Sequence, residues 1–177
     1  MDLFEKTISS KTVFEGKIFT VKEDLSQLPN GQTVKRECVS HNGGVCVVAL
    51  DDEKNIFLVE QYRYGVCEKT YEIPAGKLEV GEDPLKCGMR ELVEETGYSA
   101  KNFLSLGMIY PTPAYCSEKI YMYLATELEK SVQNLDDDEF LNVTKVSLEK
   151  ACDMVMNNEI VDAKSAVAIL KSKNLIK

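Results

Sequence analysis

One segment of this chain carries its own end marks. Asp83 is a good helix N-cap, and Pro84 suits the first helical position, where a missing N–H costs nothing. Gly97 is a natural stop, because glycine accepts the left-handed conformation that ends helices. These marks predict a helix over about residues 84–96. Leu85, Met89, Leu92 and Thr96 recur at helical spacing and are expected to face the core, with Gly88 permitting close packing on the same side. At about 100° per residue, Glu94, Glu91 and Glu95 fall at about 180°, 240° and 280° from Leu85. They share one edge, away from the centre of the apolar face. Like charges at this spacing repel, by roughly 0.2–0.5 kcal/mol a pair. A glutamate pair on a helix is usually just a solvated face. Three on one edge of an already acidic chain point to a missing cation.

The flanking segments read as strands and loops. "GGVCVVAL" (43–50) is a continuous apolar run and predicts a buried strand. "DDEKN" (51–55) is a turn, "IFLVEQYR" (56–63) a second strand, and "TYEIPAGKLEVGE" (70–82) extended chain and loop. After the helix, "FLSLGMIYPTP" and "EKIYMYLATEL" (118–128) read as strands joined by a proline-containing loop. "QNLDDDEF" (133–140) is an acidic loop, "NVTKVSL" (142–148) a last strand, and two apolar-striped helices follow. Residues 1–40 read as short strands, with a hairpin turn at Asn30-Gly31. The whole is α+β.

Composition narrows the function. The chain has 177 residues, enough for one domain with a sizeable core. Its net charge is −8 and it has no basic cluster, which argues against nucleic acid, whose binding rests on phosphate neutralisation. No apolar run is long enough for a membrane span, and the start "MDLFEKTISS" has no leader-like apolar region, so a cytoplasmic location is expected. The six cysteines are scattered, without a C-x-x-C pair, and the only histidine is His41. That is neither a zinc site nor a disulfide framework, and buried free thiols are expected.

From Gly76 the chain reads "GKLEVGEDPLKCGMRELVEETGY". Glycine, five residues, Glu82, seven residues, then Arg90-Glu91-Leu92-x-Glu94-Glu95-x-Gly97-Tyr98 resembles the box of the Nudix hydrolases, G-x5-E-x7-R-E-U-x-E-E-x-G-U with U apolar. Every fixed letter matches; Tyr98 stands in an apolar slot. Hard divalent cations such as Mg2+ or Mn2+ prefer carboxylate oxygens, so the chemistry of the edge agrees with the motif. The resemblance implies a Nudix-type α/β/α sandwich with a mixed sheet, preceded by an N-terminal antiparallel strand section. Residues 1–40 would then serve dimerisation and substrate contact, and 41–177 would form the hydrolase domain.

Further stretches are similar to the ADP-ribose and nucleotide-sugar pyrophosphatase branch: "KREC" (35–38), "LVEQYRYG" (58–65), "EIPAGKLEVGE" (72–82), "YPTPAYCSEKIYMYLA" (110–125) and "EIVDAKSAVAIL" (159–170). Pro113 stands fifteen residues after Tyr98, the spacing associated with ADP-ribose hydrolysis. Two departures occur. Pro113-Ala114-Tyr115 replaces the branch's common Pro-Gly-Phe, and Cys87-Gly88 replaces the usual alanines.

The resemblance implies hydrolysis of ADP-ribose to AMP and ribose 5-phosphate. Glu91, Glu94 and Glu95 and the carbonyl of Ala75 would be ligands of Mg2+ (or Mn2+), with Glu82 in support and Arg90 orienting the glutamates. Glu139 is the favoured catalytic base among the acids of "DDDE", which also offers Asp136, Asp137 and Asp138. Arg63 suits phosphate, because a guanidinium bonds two oxygens at once. Arg36 is assigned to the nucleotide end, Pro113 to the loop that reads the leaving group, and Glu118 to substrate contact, with a place as second candidate base or a structural role left open. Phe19 or Tyr115 could stack on adenine. The partner is a nucleoside diphosphate derivative, and a homodimer is implied. Another nucleotide sugar or a dinucleotide stays open as substrate, as does a sensor that binds without cleaving; sensors usually lack box glutamates, and this chain keeps all four.

Overall fold

The computed structural model describes residues 2–135, 137 and 139–176. Its contacts divide the chain into two compact units, Met1–Gly43 with Tyr110–Lys119, and Gly44–Ile109 with Ile120–Lys177.

The first unit is an antiparallel sheet of β1 (Lys6–Glu15), β2 (Phe19–Gln27) and β3 (Thr33–His41), in that order. The strands are longer than expected. The Asn30-Gly31 turn forms: the Gly31 N–H donates to the Leu28 carbonyl at 2.9 Å, with Gly31 at φ +87°. β1 is exposed along its whole length. Residues 110–119 lie along β3, where the Val39 N–H donates to the Tyr115 carbonyl at 2.7 Å and the Ser117 N–H to the Val39 carbonyl at 2.9 Å.

The second unit runs β4 (Gly44–Ala49), β5 (Asn55–Arg63), β6 (Glu68–Glu72), β7 (Ala75–Lys77), α1 (Pro84–Thr96), β8 (Tyr98–Ile109), β9 (Ile120–Lys130), β10 (Leu141–Ser147), α2 (Leu148–Met156) and α3 (Ala163–Leu175). One sheet has the order β7-β4-β9-β8 and is mixed, since β4 and β9 are parallel. The other, β10-β5-β6, is antiparallel. The continuous apolar run becomes β4, buried throughout, and its alternation shows why. Cys46 and Val48 pack with Ala168 and Ile169 of α3, whereas Val45, Val47 and Ala49 lie in the clusters of Cys87 and Leu92 of α1. Both faces are covered by helices, as the sandwich expectation requires. Each such aliphatic side chain contributes about 1.5–3 kcal/mol by leaving water.

α1 begins and ends where its marks predict. The Asp83 carboxylate accepts the Lys86 N–H at 3.0 Å, and Gly97 takes φ +71°. Its buried face is rotated from the expected one, however. Leu85 and Met89 are 37% and 45% exposed, while Cys87, Gly88, Glu91, Leu92, Glu95 and Thr96 are buried. Close approach at Gly88 sets this rotation: a Cβ there would stand 3.1 Å from Val45 and 3.2 Å from Val47. β8 also starts earlier than predicted, directly after Gly97. All six cysteines are free, but only Cys46 and Cys87 are buried, and Cys67 is exposed. No helix among the described residues is long and apolar enough to cross a membrane.

Candidate active site

The helix rotation carries two carboxylates inward. Glu91 and Glu95 are both buried, on the face of α1 that meets the chain around β7. The Ala75 N–H donates to Glu95 Oε2 at 3.0 Å, which ties the peptide before Gly76 to the helix. Gly76 is required by this approach, because a Cβ at that position would lie 1.8 Å from the Glu91 carboxylate.

One guanidinium serves most of this edge. Arg90 Nη1 lies 2.8 Å from Glu91 Oε1 and 2.7 Å from Glu94 Oε2, and Arg90 Nε lies 3.3 Å from Glu82 Oε1. Glu82 is itself held by the Glu79 N–H at 3.0 Å. Arg90 is thus spread over three carboxylates, and among the described residues no lysine or arginine forms an ion pair with Glu95.

The shortage of positive charge shows in the acidities. Burial pushes Glu91 up to about 7; Arg90 opposes that rise, while Glu94 and Glu139 add to it. Burial pushes Glu95 up to about 8; the Ala75 N–H opposes, and the charges of Glu91 and Glu139 add. Two oxygen-rich groups held against a backbone cradle and short of cations fit a hard divalent ion. The residues in place to hold one are Glu91, Glu94 and Glu95, with the peptide of Ala75 beside them.

Other expected site residues fall as follows. Glu139 is exposed, yet its charge reaches both Glu91 and Glu95. Asp137 is exposed; Asp136 and Asp138 lie outside the described residues. Arg63 makes a two-pronged pair with Glu72, Nε to Oε1 at 2.6 Å and Nη2 to Oε2 at 2.5 Å. In the first unit, Arg36 makes a similar fork with Glu5, both bonds at 2.9 Å. There too, Pro113 is exposed in a turn, and Glu118 Oε1 lies 3.4 Å from His41 Nδ1. Phe19 and Tyr115 are exposed aromatics of that unit, Phe19 stacked obliquely on Phe14 at 5.8 Å.

Sequence reasoning missed a second charged group, formed by Glu72 with Lys164, Asp162 and Ser165. Its pieces lie in "EIPAG" and "DAKSA", but 92 residues separate Glu72 from Lys164 and no periodicity links them.

Residues 40–166 match the NUDIX domain family, and residues 5–39 match the nucleoside diphosphate sugar hydrolase N-terminal domain. The chain is 43% identical to a Bacillus subtilis protein named ADP-ribose pyrophosphatase, over 94% of this chain and 91% of that one. It is 41% identical to a Bacillus methanolicus protein named methanol dehydrogenase activator, over 93% and 90%. A Mycobacterium tuberculosis ADP-ribose pyrophosphatase is 36% identical, over 93% and 81%. A crystal structure of an ADP compounds hydrolase shares the fold, with a TM-score of 0.88 over 99% of this chain and 96% of that one, at 22% identity.

Proposed function

The chain belongs to the Nudix family, and we propose that it hydrolyses ADP-ribose to AMP and ribose 5-phosphate. The observation that carries this reading is the pair of buried, cation-poor carboxylates Glu91 and Glu95 against the Ala75-Gly76 backbone. The two relatives named ADP-ribose pyrophosphatase support the choice of substrate.

In this reading a divalent cation, Mg2+ by preference, is held by Glu91, Glu94, Glu95 and the Ala75 carbonyl. When bound, such an ion neutralises pyrophosphate charge and makes phosphorus easier to attack. Arg90 keeps Glu91 and Glu94 in place. Glu139 takes a proton from a water, whose oxygen attacks one phosphorus while the bridging oxygen leaves with the other. Arg63 binds phosphate through the edge of its guanidinium that Glu72 leaves open. Arg36 and the turn at Pro113 serve the nucleotide and the leaving group, with Glu118 in support. We assign the strand section of residues 1–40 to assembly of a homodimer in the cytoplasm; the exposed apolar side chains Phe4, Ile8, Val13 and Phe14 support an interface there.

The test is release of nucleoside monophosphate from ADP-ribose, a UDP-sugar, a GDP-sugar and a dinucleotide, with magnesium and with chelator. Magnesium-dependent AMP release, strongest from ADP-ribose, is expected. Preference for another member of the panel would keep the chemistry and overturn the substrate. More distant relatives named GDP-mannose pyrophosphatase, at 26–27% identity, make the GDP-sugar the alternative to watch.

A further inference from the structure

The Glu72 carboxylate accepts four hydrogen bonds while almost completely buried: from Arg63 Nε and Nη2, from Thr70 Oγ1 at 2.6 Å, and from Lys164 Nζ at 2.5 Å. Lys164 is itself mostly buried and lies 2.9 Å from Asp162. Arg63, Lys164, Glu72 and Asp162 therefore form a neutral set of four charges. The proposed chemistry uses only Arg63 among them.

The set ends at an open position. Glu72 occupies the Nε–Nη2 edge of Arg63, which leaves Nη1 without a partner among the described residues. The Arg63 side chain is 43% exposed, and its positive charge is felt at Glu95. The first turn of α3 closes the set from behind. Asp162 accepts the N–H and the hydroxyl of Ser165 at 3.0 and 2.6 Å, and Ser165 Oγ accepts the Ile73 N–H at 2.9 Å. One turn of helix thus grips Glu72 and Ile73, the two residues immediately before the Pro74-Ala75-Gly76 segment.

We propose that Glu72 and Lys164 are positioning residues, which hold Arg63 in the orientation that presents Nη1 to a substrate phosphate. A guanidinium on a flexible stem loses rotamer freedom when it binds; here that freedom is lost on folding instead. Lys164 matters through charge as well as contact. Without it, Arg63 alone faces two acids, and its positive charge is spent on Glu72 and Asp162 rather than offered to phosphate. The inference rests on the reading of Arg63 as the phosphate-binding side chain.

The test is steady-state hydrolysis of ADP-ribose with magnesium by the full chain and its variants. Lys164→Gln should raise KM about tenfold, the loss of one charge-assisted contact, with kcat within about threefold of wild type. Lys164→Arg should recover most of the change. In an Arg63→Ala background, Lys164→Gln should raise KM no further, because nothing remains to be positioned. A fall in kcat at unchanged KM, or an undiminished KM rise in the Arg63→Ala background, would overturn the inference. If Arg63→Ala raises KM and Lys164→Gln does not, the inference fails alone. If Arg63→Ala leaves KM unchanged, the reading of Arg63 fails with it. Should Lys164→Gln not fold, Arg63→Lys leaves the buried members intact, keeps the charge and cannot fork onto Glu72. It should raise KM at least about fivefold, and a wild-type KM in that variant would equally overturn the proposal.

Discussion

Glu72 and Glu95 are both glutamates with almost no exposed surface, and their acidities move in opposite directions. Burial would raise Glu72, but the Arg63 hydrogen bonds and the Lys164 charge outweigh it and hold the carboxyl at about 2. Burial raises Glu95 to about 8, with only the Ala75 N–H and the charge of Arg63 against it. Depth is similar, and counter-charge decides. The first site is complete within the chain. The second lacks positive charge, and in the proposed reading that lack is the opening for a divalent cation.

The strongest way to sharpen the contrast is to neutralise each carboxylate. Glu95→Gln should lower turnover of ADP-ribose by more than about a hundredfold, read as AMP release with magnesium. It should leave metal-free stability unchanged or raised, since it replaces a buried carboxyl that no lysine or arginine pairs with by a neutral amide that can still accept the Ala75 N–H. Gly76→Ala should also lose most activity. Its methyl group would overlap the Glu91 carboxylate and force that side chain to swing away, so the loss is expected in turnover more than in chemical denaturation. A variant with wild-type turnover would mean that the position of the Glu91 carboxylate against Gly76 does not matter to the reaction.

Glu72→Gln should behave oppositely to Glu95→Gln in stability. It leaves Arg63 and Lys164 facing Asp162 alone, and should cost about 3 kcal/mol, measured by urea denaturation. The pH dependence carries the same sign. The folded Glu72 carboxyl sits at about 2, below its ordinary range near 4.3, so the unfolded chain takes up this proton first as pH falls. Its stabilisation is complete above about pH 4.3 and is lost as pH falls toward 2. Urea midpoints across that window should fall more steeply for wild type than for Glu72→Gln. At the small end stands the exposed pair Lys101–Glu129, more than half exposed on both sides. Lys101→Ala should change stability by less than about 0.5 kcal/mol.

The same contrast marks how far the chain could be read from its residues. The ends of α1 were legible because capping is local: Asp83, Pro84 and Gly97 act within a few residues of themselves. The spacing of Glu91, Glu94 and Glu95 was legible for the same reason. Which side of α1 turns inward was not, and Leu85 and Met89 were placed wrongly. That choice is made by Gly88 against Val45 and Val47, a contact across some forty residues of chain. The partners of Glu72 were hidden in the same way, since its acid and its lysine belong to elements that only the fold brings together. Arg63 and Arg36 are two of only three arginines in the chain, yet their forks with Glu72 and Glu5 leave no trace in the sequence.

The most direct measurement is thermal unfolding with and without magnesium, for wild type and for Glu91→Gln/Glu95→Gln. The account predicts that magnesium raises the Tm of wild type, that the double variant does not respond, and that the metal-free double variant melts no lower than metal-free wild type. An equal response in both proteins, or a double variant that melts well below wild type without metal, would contradict the claim that these two carboxylates are buried to hold a cation.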